Sequence, residues 1–298
     1  MRVKYSIWFI ISLFVLVLLV SCNTNEDPAP ENETDEQDQV EEENNSGEDN
    51  TNQEEDPAPE QDLTTPEEDT GDEQTDPEPV EQPEEELEAQ YEISSVWSVK
   101  PLTEDANEKV ALLTIDDAPD TYALEMAHTL KELNVPAIFF VNGHFIDTDE
   151  EKQVLKQIHE MGFEIGNHTY NHTRLSTISE EEQKEEILSL SKLIEEIIGE
   201  KPKYFRAPNG VNTDFSTQLV KDEGMLQMNW TYGYDWNSDY MSEEAIADIM
   251  VNTPLLSNGA NLLMHDREWT AAALDDIVIG LREKGYEFVD PKLLKLPE

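Results

Sequence analysis

The chain of 298 residues contains one cysteine, Cys22, so no disulfide can form within it. Basic residues are scarce: 19 Lys and Arg stand against 68 Asp and Glu, a formal charge of -49. Residues 23–92 carry 30 of those acids and no Lys or Arg. Such a balance excludes nucleic-acid binding, which needs clustered cations to neutralise phosphates. Long apolar runs are missing too. Ile7 to Val20, interrupted by Ser12, falls short of the roughly 18 residues that argue for a membrane-spanning helix. Finally, no glutamate follows the first histidine of His168-Thr169-Tyr170-Asn171-His172. That excludes the helical zinc-protease pattern, whose glutamate is the base.

What is present divides the chain into three. In residues 1–21, Arg2 and Lys4 precede the apolar run, which reads as a signal peptide. Leu19-Val20-Ser21 ahead of Cys22 resembles the lipobox of bacterial lipoproteins. Lipidation of Cys22 is expected to anchor the protein at the extracellular face of the cell membrane without spanning it. Residues 22–92 repeat Asp-Pro-Ala-Pro-Glu at 27–31 and 56–60 and hold almost nothing apolar. Like charges repel and no core can form, so this segment reads as a disordered acidic tether. Residues 93–298 are globular in composition and long enough for one domain with a sizeable core. A monomer is expected.

Within that domain, strand and helix patterns alternate. Val110 to Asp117 is an apolar run ending in two adjacent carboxylates, read as a buried strand. Helices are predicted at about 122–133, from Thr148 toward Met161, from Ser179 to Gly199, and over 214–223, 242–251 and 270–283. Thr148 with Glu151, and Ser179 with Glu182, are capping-box pairs, and Gly199 is a stop. Strands are predicted at 136–141, 163–166, 204–206, 225–230, 261–264 and 286–289. Such alternation implies an α/β fold: a distorted (β/α) barrel of about seven parallel strands.

Polar residues gather at the C-terminal ends of these strands: Asp116 and Asp117, His168 and His172, Arg206, Asp235 and Trp236, His265 and Asp266. In a parallel barrel that rim is where sites form. Adjacent residues on a strand point to opposite faces, so Asp116 and Asp117 are expected to hold different tasks. His168 and His172, four apart, suit a divalent metal in a turn of helix or a tight loop, with Asp117 as third ligand. Two imidazoles and a carboxylate suit Zn2+, while Co2+ or Ni2+ fit the same donors. His128 and His159 fall in predicted helices and read as structural. His144 has no evident place.

At these residues the chain resembles the polysaccharide deacetylases of carbohydrate esterase family four, over roughly residues 107–291. Thr114-Ile115-Asp116-Asp117 is similar to the first family motif, which implies Asp116 as general base and Asp117 as metal ligand. His168 and His172 match the ligands of the second. Arg206-Ala207-Pro208-Asn209-Gly210 resembles the third, implying that Arg206 orients the base and that the backbone amide of Asn209 helps to bind an oxyanion. Asp235-Trp236 and Leu263-Met264-His265 match the fourth and fifth. They imply His265 as general acid tuned by Asp235, with Trp236 and Leu263 lining an acetyl pocket. The chain departs from the usual pattern at Ile115, Ala118, Asn209 and Tyr232, the last near the place of the fourth motif's first aspartate.

Amide hydrolysis needs an activated water, a polarised carbonyl and a proton for the departing amine. The expected function is therefore metal-dependent removal of N-acetyl groups from amino sugars of a cell-wall glycan, peptidoglycan foremost. Chitin oligosaccharides and exopolysaccharides are alternative substrates. A wall-binding module without turnover, or a surface lipoprotein working through its acidic tail, are the readings from other classes.

Overall fold

The computed structural model describes residues 87–297; the expected signal peptide, Cys22 and the acidic segment up to residue 86 lie outside them. Among the described residues no helix is long and apolar enough to cross a membrane. The domain opens with a hairpin of β1 (Tyr91–Ile93) and β2 (Val99–Pro101), which are antiparallel. Three-residue strands leave no periodic signature, and the hairpin is absent from the sequence-based reading. Tyr91 is buried, and its carbonyl accepts from Lys295 N at 2.8 Å, so the two ends of the domain are tied together.

The units that follow are β3 (Val110–Ala118), α1 (Ala123–Glu132), β4 (Ala137–Val141), α2 (Asp149–Glu160), β5 (Glu164–Asn167) and α3 (Glu180–Ile198). Then come β6 (Tyr204–Phe205), α4 (Asp214–Asp222), β7 (Leu226–Gln227), α5 (Glu243–Asn252), β8 (Ala260–His265), α6 (Glu268–Ala272), α7 (Leu274–Glu283) and β9 (Glu287–Phe288). Seven strands form one sheet in the order β7-β6-β5-β4-β3-β8, with β9 on the first residues of β3. All its pairings are parallel. Beyond β7 the chain reaches the far edge: Thr231 N donates to Asn261 O, and Leu263 N to Tyr232 O, each at 2.8 Å. The sheet is thus curled into a half-barrel, with helices packed outside it.

Local signals explain most of these boundaries. Both capping boxes form as the spacing predicts, and Gly199 closes α3 at φ 86, a left-handed conformation that glycine adopts without strain. Two expectations need correction. The strand at 225–230 is only Leu226–Gln227, because the Asn229 carbonyl is taken by Arg206 Nη2 (2.8 Å) and Asn261 Nδ2 (3.0 Å) rather than by a ladder partner. The helix expected at 270–283 is two, α6 and α7, broken at Ala273. No glycine or proline marks that break.

The central strand β3 is buried on both faces, as a parallel strand covered on each side must be. Ala111, Leu113 and Ile115 face one cluster with Met126, Leu130 and Leu155 of the helix layer. Val110 and Leu112 face another with Ile138, Phe140 and Tyr204. Burying each leucine contributes about 1.5–3 kcal/mol over leaving it exposed, which holds the strand in the interior of the domain. By this alternation Asp116 belongs to the face of Leu112, and Asp117 to the helix side.

Candidate active site

The structure overrides that alternation. Register between β3 and β4 shifts between Ile115 and Ala118, and Asp117 has φ 56. One extra residue in the strand turns Asp117 back toward the site, at a local cost of about 1–2 kcal/mol for the left-handed conformation. Both carboxylates therefore converge: His168 Nε2 lies 3.5 Å from Asp116 Oδ2 and 3.8 Å from Asp117 Oδ1. The expectation that the pair faces opposite sides is corrected. They do hold different partners, as follows.

Asp116 is buried, and its Oδ1 accepts from Arg206 Nη1 at 2.6 Å. The same guanidinium group donates to Thr114 Oγ1 (2.7 Å), and Thr114 Oγ1 donates to the Leu262 carbonyl (2.6 Å). Arg206 also stacks over the Phe140 ring, 4.3 Å from its centroid. A buried carboxylate held this way stays oriented with one oxygen, Oδ2, directed toward the histidines.

His168 and His172 sit on a loop and not on a helix. His168 N continues the β5 ladder to Val141 O, whereas Thr169 and His172 have φ 69 and 55. Thr169, being β-branched, is strained there. Its surroundings hold it: Asn142 Nδ2 donates to the carbonyls of His168 and Thr169, and Glu186 of α3 accepts from Asn171 N and Nδ2, each at 2.8 Å. His144 braces the same loop through Tyr170 O, at 2.9 Å from its Nδ1. His168 Nδ1 donates to Arg206 O at 2.7 Å, which leaves Nε2 as the nitrogen free to ligate an ion. Burial keeps His168 below the usual histidine range despite Asp116 and Asp117 beside it. His128 is exposed and His159 pairs with Glu200, both away from this cluster.

His172 Nε2 is 3.4 Å from Asp117 Oδ1. Asp117, His168 and His172 each offer one ligand atom, all within 4.8 Å of one another. A tetrahedral ion with bonds of about 2.0–2.1 Å needs ligand atoms about 3.3–3.4 Å apart, and both carboxylate–histidine edges are close to this. These residues therefore fit a divalent metal. Burial pushes the Asp117 carboxyl up, but the charges of His168, His265, His172 and Arg267 outweigh it and hold the group below the usual carboxylate range.

On the other side of Asp116 stands its register partner on β8, His265. His265 Nδ1 donates to Asp235 Oδ1 at 2.7 Å, while Asp235 Oδ2 accepts from His265 N (2.6 Å) and Thr270 Oγ1 (2.9 Å). Burial pulls His265 down, yet the bond and charge of Asp235, with help from Asp116 and Asp117, raise it above an ordinary histidine. Its Nε2 remains as the atom that can give up a proton. Trp236 is 54% exposed and edge-on to His265 at 6.5 Å, and Leu263 lies two residues before His265, on the same face of β8. Asn209 is exposed at φ 56 in the turn after β6.

Two neighbours were missed in the sequence. Asp266, grouped with His265 but given no role, accepts from four consecutive backbone N–H groups, Asp120 to Ala123, at 2.5–3.1 Å. It pins the turn after Asp117 and the start of α1. Arg267 Nη2 donates to Asp117 Oδ2 at 2.9 Å. Only the adjacency of Asp266 to a motif histidine could have drawn attention to either.

Fold and site together define a parallel α/β half-barrel whose strand ends carry a carboxylate–histidine cluster flanked by an acid–base pair. The chain belongs to the polysaccharide deacetylase family, whose model matches residues 103–228. It is 33% identical over 191 residues to a peptidoglycan-N-acetylglucosamine deacetylase of Bacillus cereus, covering 61% of this chain and 86% of that one. It is 30% identical to the peptidoglycan-N-acetylmuramic acid deacetylase PdaA of Bacillus subtilis, covering 62% and 70%. Among solved structures, a CE4 family pseudoenzyme from Bacillus anthracis matches with a TM-score of 0.56 at 29% identity, covering 61% of this chain and 63% of that one.

Proposed function

We propose that the protein is a metal-dependent hydrolase that removes N-acetyl groups from amino sugars of a cell-wall polysaccharide, peptidoglycan foremost. The observation that carries this reading is the placement of Asp116, held by Arg206, and His265, held by Asp235, as register partners beside the Asp117–His168–His172 cluster. Asp116 is positioned to take a proton from the attacking water. His265 is positioned to donate one to the departing amine from Nε2, and Asp235, which raises its pKa against the pull of burial, favours the protonated form that this step needs. A divalent metal, with Zn2+ suited to these donors, would supply polarisation of the amide carbonyl and a more acidic water. Asp117, His168 and His172 would hold it. Trp236, exposed and edge-on to His265, offers apolar surface where an acetyl methyl can sit, with buried Leu263 on the same strand face as His265; the family resemblance assigns the backbone amide of Asn209 to the oxyanion.

The relatives bearing deacetylase names support the substrate class, and they include enzymes for both peptidoglycan sugars. A wall-binding role without turnover is the second reading, favoured by the pseudoenzyme among the structural matches. Against it stands the full set of acid, base and ligand side chains in this chain. Acetate release by the purified protein with Zn2+ tests both. Release from peptidoglycan, with chitin oligomers as comparison, supports the enzyme; binding to the wall with no acetate from either polymer overturns it.

We also place the protein on the outer face of the cell membrane, tethered through lipidated Cys22 and the acidic linker. Cys22→Ser should move it from the membrane fraction to the medium. Retention in the membrane would discard the anchor.

A further inference from the structure

Asp117 uses its two oxygens differently. Oδ1 faces the histidines, 3.4 Å from His172 Nε2 and 3.8 Å from His168 Nε2, whereas Oδ2 is bonded by Arg267 Nη2 at 2.9 Å. The guanidinium is fixed at other points: Nη1 donates to the Asp266 carbonyl at 3.0 Å and lies 3.7 Å from Asp120 Oδ2. Its plane is thus set by the backbone at the end of β8, the strand that carries His265. A carboxylate whose outer oxygen is turned toward and bonded by a fixed cation favours offering its inner oxygen alone to an ion.

We propose that Arg267 is a positioning residue of the metal centre: it makes Asp117 a one-oxygen ligand and so keeps coordination positions open for water and substrate. This rests on reading the Asp117–His168–His172 cluster as a metal site. A free carboxylate can ligate through both oxygens, which raises the coordination number and fills a position the reaction requires. Arg267 is partly exposed and outside the hydrophobic core, so its replacement leaves packing intact.

The test is the visible absorption of the Co2+-loaded protein, which is strong for four-coordinate cobalt and weak for six-coordinate cobalt. At equal bound Co2+, Arg267→Met should lower this absorption at least twofold, and kcat should fall with it while KM changes little. Arg267→Lys keeps a cationic donor and should restore most of the absorption. A spectrum of Arg267→Met that superimposes on the wild type, or an Arg267→Lys spectrum as weak as that of Arg267→Met, would overturn the proposal. Failure of the wild-type protein to take up Co2+ would instead discard the metal-site reading itself, so the two failures are told apart.

Discussion

Arg206 and Asp116 meet at 2.6 Å, the guanidinium fully buried and the carboxylate nearly so, at the point where the half-barrel interior becomes the site. Removing one partner of a buried pair strands the other charge, at a cost of about 3–5 kcal/mol. Arg206→Met should therefore lower unfolding free energy by about that amount in denaturant titration, as well as abolish turnover. Arg206→Lys should recover only part of the stability, since a single ammonium cannot reach Thr114, Asp116 and Asn229 together. Equal stability of all three proteins would contradict the interior role given to this pair.

The two histidines should respond differently to truncation. His172→Ala removes a half-buried loop side chain, so Zn2+ affinity and activity should vanish with little change in the apo protein's melting. His168→Ala also deletes a buried ring and its bond to the Arg206 carbonyl. It should cost an additional 1–3 kcal/mol or so in apo stability. Calorimetry of both variants with and without metal separates the effects. At a free Zn2+ concentration near 100 times Kd, the wild type should gain about 2.7 kcal/mol and the variants nothing.

The pH profile depends on Asp235. In the proposed mechanism the acid form of His265 is the active one, so activity should be lost as pH rises through its pKa, which burial lowers but Asp235 raises overall. Asp235→Asn removes the charge and cannot satisfy His265 Nδ1, His265 N and Thr270 Oγ1 at once. The alkaline limb should move to lower pH and kcat should drop by about 100-fold or more. An unchanged limb together with an unchanged kcat would reduce Asp235 to a structural brace.

Asp266 supplies a test of the turn that follows Asp117. Its carboxylate is shared by four N–H donors, and Asp266→Ala leaves all four without their acceptor. Stability should fall by about 1–3 kcal/mol, and amide exchange at residues 120–123 should accelerate more than elsewhere. Uniform acceleration would mean that the turn is held by other contacts.

Much of this was readable beforehand, for a physical reason. Capping boxes at Thr148 and Ser179, the stop at Gly199 and the apolar strands are local devices, so the chain spells them out. The site residues were legible because parallel strands deliver them from the same rim. What escaped notice depends on contacts remote in sequence: the ladder lost after Gln227 to Arg206 and Asn261, and the Arg267 bond reaching back 150 residues to Asp117. The turn of Asp117 escaped for another reason: aspartate enters the left-handed region more readily than most residues, and nothing in Asp116-Asp117-Ala118 distinguishes a bulge from a regular strand.

The pairing of β3 with β8 also bears on biosynthesis. One edge of β3, from Ala111 to Asp116, finds its partner only in Ala260 to His265, so a chain emerging from its N-terminus holds this central strand with that edge open until β8 has been made. Open strand edges recruit neighbouring chains. A product truncated before residue 260 should therefore precipitate or be degraded, and not persist as a partially active enzyme. The same late pairing sets Asp116 beside His265, so the site is assembled in the step that closes this edge.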